Sequence, residues 1–250
     1  MTQQDIEHEI RVDLAAALRW ASKLGFGEGV CNHFSAQIPA SNTAPHGESR
    51  FLINPQGLHW SEVRPEDLVV VDAHGRKISG KHGVEPTAFF IHGAVHRGKP
   101  SAKAVLHTHM PYATALTVVQ QGRLEWASQN SLKFYGRVAY DDDYNGLALD
   151  DAEGARMCGK LADADVLFLS NHGIIVTGPT VALAFDDLYY LERACMLQVL
   201  ANATGKPLRV VSEDVAAKTA RQMQCESQQA ALHFAALKRL LDRDEKNWRE

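Results

Sequence analysis

Apolar residues recur at helical spacing over residues 5–24, where Ile6, Ile10, Leu14, Ala17, Leu18 and Ala21 share one stripe and predict an amphipathic helix. Three glycines in "GFGEG" (25–29) end it. The period then shortens to two. "NHFSAQIP" (32–39) reads as a strand stopped by Pro39, "ASNTAPHGES" (40–49) as a polar loop, and "RFLINPQG" (50–57) begins as a second strand of the same hairpin. "DLVVVDAHGRKISG" (67–80) predicts a strand, a tight turn at His74-Gly75 and a short strand. "EPTAFFIHGAVHRGK" (85–99) predicts a helix with Pro86 in its first turn and Gly98 and Pro100 at its end.

"AKAVLHTH" (102–109) is a short buried strand, and "YATALTVVQQG" (112–122) continues as a helix. "FYGRVAY" (134–140) reads as another strand. "DADVLFLSNHGIIVTGP" (163–179) makes two strands around the turn Asn171-His172-Gly173. Thr180 is placed to cap a long helix running toward Gly205. From Ser212 a charged amphipathic helix closes the chain. Strands and helices mix without strict alternation, with no repeat and no linker, which predicts one layered domain around a mixed sheet.

Composition narrows the class. With 45% hydrophobic and 22% charged residues, the 250-residue chain is long enough for one large core and ordinary for a soluble protein. A net charge of -4 predicts no nucleic-acid partner, and no apolar run reaches the length of a membrane span. The polar opening "MTQQDIEHEI" is unlike a secretory signal, and four scattered cysteines without a CxxC pair predict a reduced, cytoplasmic protein.

The chemistry lies in the histidines. Residues two apart on a strand face one side, so His107 and His109 can address one ion. An isolated HxH is more often an ordinary hydrogen-bonded strand end. His172, presented from a turn that Gly173 makes permissible, completes a set of three imidazoles at strand ends. Three protein ligands and an open position describe a catalytic zinc-like site. His92 and His96 are a rival pair at i and i+4 of the predicted helix; His92 is a fourth contributor or a packing residue, and His96 is structural.

Taken in order, "GFGEGVCNHFSAQ", "INPQGLHW", "RPEDLVVVD", "FFIHGAVHRGKPSAKAVLHTH" and "LFLSNHGIIVTGPTVALAFDDLYYLERA" resemble the class II aldolase/adducin family over roughly residues 8–205. "FYGRVAY" is similar to its adducin-type branch. The resemblance implies an α/β fold: a single three-layer α/β/α domain with a central, largely antiparallel sheet, occupying residues 1–210, with 211–250 a helical extension. It implies one divalent metal on His107, His109 and His172, zinc first and manganese or iron(II) as alternatives. It implies a lyase that cleaves or forms a carbon–carbon bond beside a carbonyl through a metal-stabilised enediolate. The expected partners are a small carbonyl or hydroxy-acid substrate and further copies of the chain, with a tetramer favoured.

The pattern also departs from the family. Sugar-phosphate members carry Ser-Ser-Glu where this chain has Pro86, Thr87 and Ala88, so the catalytic glutamate position holds alanine. Glu85, three residues earlier, is either a substitute or simply a helix-start carboxylate. The phosphate-gripping positions have become "NHFS" and Asn54-Pro55-Gln56-Gly57, which points to a non-phosphorylated substrate. His33, Asn54 and Gly57 are the candidate substrate-binding residues, or they complete the strand pair. Tyr140 and Tyr135 are the candidate phenolic acids, or packing residues. A decarboxylase of a hydroxylated acid, an iron oxygenase on the same histidines, and a non-catalytic binding module like the adducin head remain open beside the aldol reaction.

Overall fold

The structure is a computed structural model and describes residues 2–39, 49–226 and 228–250; most of the loop expected at 40–49 lies outside the described residues. Helix α1 (Gln3–Lys23) starts earlier than the apolar stripe predicts, because Thr2 and Asp5 cap it reciprocally. Eight strands form one sheet: β1 (His33–Ile38), β2 (Arg50–Ile53), β3 (Val69–Asp72), β4 (Lys77–Ser79), β5 (Ala104–Thr108), β6 (Val138–Asp141), β7 (Val166–Leu169) and β8 (Gly173–Gly178). Their order is β4-β3-β2-β1-β5-β8-β7-β6. Every neighbouring pair is antiparallel except β6 with β7.

The central strands are buried on both faces, and alternation decides which helices each residue meets. Phe34, Ala36, Leu52, Ala104, Leu106, Phe168, Ile174 and Val176 face the core shared with α1 and α6 (Val181–Asn202). Val105, Leu167, Leu169 and Ile175 face α2 (Pro86–Gly98) and α5 (Asp151–Leu161). This is the expected three-layer α/β/α arrangement with a largely antiparallel sheet. By the same alternation His33, Ser35 and His107 fall on the α2 side, with His33 directly opposite His107 in the β1–β5 register. A polar stripe is thereby buried beneath α2.

Several expectations change. The helix α3 (Pro111–Thr117) stops well short of residue 122, at Thr117, and a turn closes by the Gly122 N–H bond to the Val119 carbonyl. "FYGRVAY" is a strand only from Val138: Gly136 has φ +75° and the Arg137 N–H bonds the Phe134 carbonyl, so Tyr135 sits in a turn. Two helices escape the pattern altogether. One is the single turn α4 (Gln129–Leu132). The other is α5, which Asp150 caps but which buries only Gly154, Met157 and Leu161. The closing helix is two, α7 (Glu213–Gln224) and α8 (Gln228–Asp244). Phe234, Leu237, Leu241 and Trp248 join the same core as α1 and α6, so the extension packs into the domain. Among the described residues no helix is long and apolar enough to cross a membrane.

Candidate metal centre

β5 carries His107 in the sheet and delivers His109 just past its end. The ring centroids of His107 and His109 are 5.2 Å apart, and His172 lies 4.8 Å from the first and 4.9 Å from the second. Their candidate ligand nitrogens all fall within 4.8 Å of one another, the only such group of three among the described residues. The strand-end histidines and the turn histidine therefore converge as the spacing predicts.

The β7–β8 turn achieves this differently from expectation. The left-handed residue is Asn171 (φ +56°), which the Thr117 carbonyl holds through its N–H at 3.0 Å. Gly173 supplies space instead. A Cβ there would stand 2.5 Å from the Thr108 carbonyl oxygen and 2.6 Å from Cδ2 of the His109 ring. Gly173→Ala is expected to cost about 1–3 kcal/mol through overpacking and to displace His109. Thermal denaturation and metal titration check this; unchanged metal affinity would show that the close approach has no bearing on the site.

The outer partners of the rings fix which nitrogen is free. His107 Nδ1–H donates to the Ile174 carbonyl at 2.9 Å, and His109 Nδ1 lies 2.5 Å from a Glu28 carboxylate oxygen. Each bond turns Nε2 inward. The His109 Nε2 is buried with no partner, which is the orphaned donor atom that a metal would satisfy. The Asn32 carboxamide oxygen, 3.4 Å from the His109 backbone N–H, steadies the same segment. Burial, aided by the neighbouring His172 and His109 rings, pushes His107 well below the ordinary imidazole value. His172 is lowered to about 4, by burial first and His109 second. Both rings are neutral near pH 7, the form that ligates a cation. Three imidazoles with carbonyl and carboxylate outer partners fit a zinc-like ion.

Beside this cluster lies an acid–base pair. Glu85 Oε2 approaches His33 Nε2 to 3.2 Å, an ion-pair contact without well-aligned hydrogen-bond geometry. The His33 ring stacks 6.5 Å from that of His107. The same carboxylate caps α2, accepting from the Ala88 N–H at 3.1 Å and from the Thr87 hydroxyl. One carboxylate thus both starts α2 and meets His33. The His33 contact, then burial in opposition, then the Thr87 and Ala88 donors leave its carboxyl at about 2.

Other candidates are placed elsewhere. The Asn54 carboxamide is used by the backbone: its Oδ1 accepts from the Phe34 N–H at 2.9 Å and its Nδ2–H donates to the Asn32 carbonyl at 3.3 Å. Gly57 takes φ +84° in a turn with open space around it. The Tyr140 hydroxyl accepts from the Leu124 N–H at 3.0 Å, and its ring lies between Phe168 and Arg123. Burial pushes its phenol up to about 12. Tyr135 packs edge-on against Trp126 at 5.3 Å. Both tyrosines are thus held by packing partners outside the histidine cluster. The tyrosine that does reach it is Tyr144, half exposed, 6.5 Å from the His172 ring. Glu28 and Tyr144 are silent in the sequence, since a carboxylate in a glycine run and a tyrosine in "DDDYNG" carry no spacing signal.

Fold and site together define a layered α/β domain with a three-histidine centre at the ends of β5 and β7. The family model described as Class II Aldolase and Adducin N-terminal domain matches residues 12–199, and the chain belongs to that family. It is similar to an aldolase II superfamily protein from Pseudomonas syringae, whose crystal structure shares 35% identity at a TM-score of 0.87, with 98% of this chain and 96% of that one covered. An L-fuculose 1-phosphate aldolase from Glaciozyma antarctica PI12 superposes at a TM-score of 0.85 with 27% identity, covering 100% of this chain and 95% of that one. A decarboxylase, NovR, from Streptomyces niveus is 31% identical over 210 residues, which is 84% of this chain and 75% of that protein.

Proposed function

We propose that the chain is a divalent-metal-dependent lyase acting on a non-phosphorylated small carbonyl or hydroxy-acid compound. The observation that carries this reading is the convergence of His107, His109 and His172 with two of their outer nitrogens already bonded and one inner nitrogen orphaned. These three residues would hold the ion, zinc by ligand chemistry, with manganese or iron(II) as alternatives. When bound, the metal supplies Lewis-acid chemistry, polarising a substrate oxygen and neutralising the charge left as a bond to the adjacent carbon breaks. Glu28 orients His109, and the Ile174 carbonyl orients His107. His33, backed by the Glu85 carboxylate, is the group next to the metal ligands that can hold and return a proton.

Three of the donors at the positions expected to grip a phosphate are committed internally. The Phe34 N–H is bonded to Asn54, the Gln56 N–H is bonded to the Gly83 carbonyl at 2.9 Å, and the Asn54 amide is spent on Asn32. This supports a substrate without a phosphoryl group. A second reading, decarboxylation of a hydroxylated acid, is supported by the likeness to NovR and by the alanine at position 88. Loss of carbon dioxide needs charge stabilisation and one returned proton, but no carboxylate to abstract one.

A panel of phosphorylated and free aldol donors and hydroxylated aromatic acids, assayed with zinc, manganese and iron(II), tests both. Turnover is expected only with free donors or acids, and carbon dioxide release identifies the second reading. Faster turnover of the phosphorylated donors removes the substrate assignment. No metal-dependent turnover across the panel would favour a binding module like the adducin head.

A further inference from the structure

His92 and His96 are left unused by the three-histidine centre, yet both are buried on the face of α2 that covers the polar stripe. Their nearest polar neighbour is Ser35, two residues beyond His33 on the same side of β1. Ser35 Oγ lies 2.7 Å from His92 Nδ1 and 2.7 Å from His96 Nε2, and His96 Nδ1 lies 3.0 Å from the Ala102 carbonyl. Ser35 and His92 are wholly buried, so no solvent competes for these bonds.

The direction of every bond in this column follows from one end. A carbonyl only accepts, so His96 carries its proton on Nδ1. Burial lowers His96 to about 4 and His92 well below the ordinary value, so both rings are neutral. His96 Nε2 is then a bare acceptor and takes the single hydroxyl proton of Ser35. Ser35 has no second proton, so it must accept from His92 Nδ1–H. His92 therefore has a bare Nε2, and that atom is buried without a partner. It belongs to the ring that stands edge-on to His33 at 6.0 Å.

We propose that Ser35 and His96 lock His92 in its Nδ1-protonated tautomer, so that its bare Nε2 serves as a positioning acceptor beside the His33–Glu85 pair. This inference rests on the reading of that pair as the proton-transfer group. The edge-on ring contact carries the locked orientation to His33, whose own Nδ1 is likewise buried without a partner.

The test uses the full chain loaded with zinc and labelled with ¹⁵N-histidine. Correlation spectra should show His92 protonated at Nδ1 alone. Ser35→Ala, which removes only the hydroxyl, should bring in the Nε2-protonated form of His92 and shift the His33 nitrogens, with zinc content held and the melting temperature lowered, because two buried ring nitrogens lose their partner. In turnover the same variant should lower kcat about tenfold with KM little changed, the signature of an interaction made in the transition state. A His92 protonated at Nε2 in the parent protein, or an unchanged His92 tautomer in Ser35→Ala, overturns the lock. Normal kcat in Ser35→Ala despite a released tautomer overturns its role beside His33. A chain with the tautomer locked but His33→Gln fully active sinks the proton-pair reading instead, so the two failures are told apart.

Discussion

Single replacement of His107, His109 or His172 by alanine is expected to leave the chain folded and nearly free of metal. Each removes one of the three proposed ligands, so the loss should exceed the roughly 10–100-fold that removal of an outer partner costs. The three variants differ in what else they disturb. His107→Ala also strands the buried Ile174 carbonyl, which adds a penalty of about 1–3 kcal/mol. His172 is partly exposed and its ring makes no hydrogen bond to a backbone group among the described residues, so it is the cleanest probe. Glu28→Gln should keep all three ligands and weaken binding by about 10–100-fold, because the ring it orients loses a charged acceptor. Elemental analysis of the purified variants, with thermal melts alongside, reads both effects. Equal metal in the parent and all three alanine variants would remove the site.

The parts of this site legible in the sequence are those that depend on local geometry. A strand places His107 and His109 together because its period is two, and "SNHG" between two apolar runs marks a turn that presents His172. What the sequence hides is pairing across distance. Glu28 meets His109 from 81 residues away, and Tyr144 meets His172 because of the path taken after β6. Tyr140 shows the converse. It lies on a strand near the site in sequence logic, but the sheet turns it toward Phe168 and the Leu124 backbone. At fold level, α5 owes its place to packing against α2 and buries only Gly154, Met157 and Leu161 of its eleven residues. Gly173 shows the same limit: its sequence context suggests a special backbone conformation, but the left-handed residue falls one before the histidine, at Asn171, and Gly173 gives close approach instead.

The family resemblance left one chemical gap, since the usual carboxylate position holds Ala88. On the proposed reading, Glu85 fills it from the same turn of the same helix. Glu85 is the residue that must end its chain segment extended and bond the Ala88 N–H in order to start α2, and that geometry brings its carboxylate within reach of His33. The cap and the proposed proton-transfer partner are then one side chain, and the variants have to separate them. Glu85→Asp keeps a good N-cap and a negative charge but draws the carboxylate back from His33. Glu85→Gln keeps the length and loses the charge. His33→Gln removes the ring.

For His33→Gln we expect kcat to fall by roughly 10²–10⁴-fold, the range of a general acid–base group, with zinc content unchanged. Both Glu85 variants should fall in the same direction, while the melting temperature of Glu85→Asp stays near that of the parent. The acid limb of stability adds an independent reading. The Glu85 carboxyl is held at about 2 in the folded chain, below its ordinary 4.5. Its contribution is therefore complete above pH 4.5 and is lost as pH falls through about 2. In Glu85→Gln that part of the acid dependence should vanish, whereas in His33→Gln it should shrink, because the ring is the largest influence on the carboxyl. If kcat across the three variants tracks melting temperature and not contact with His33, Glu85 is only a cap, and the proton must be moved from elsewhere, with Tyr144 the next residue to replace.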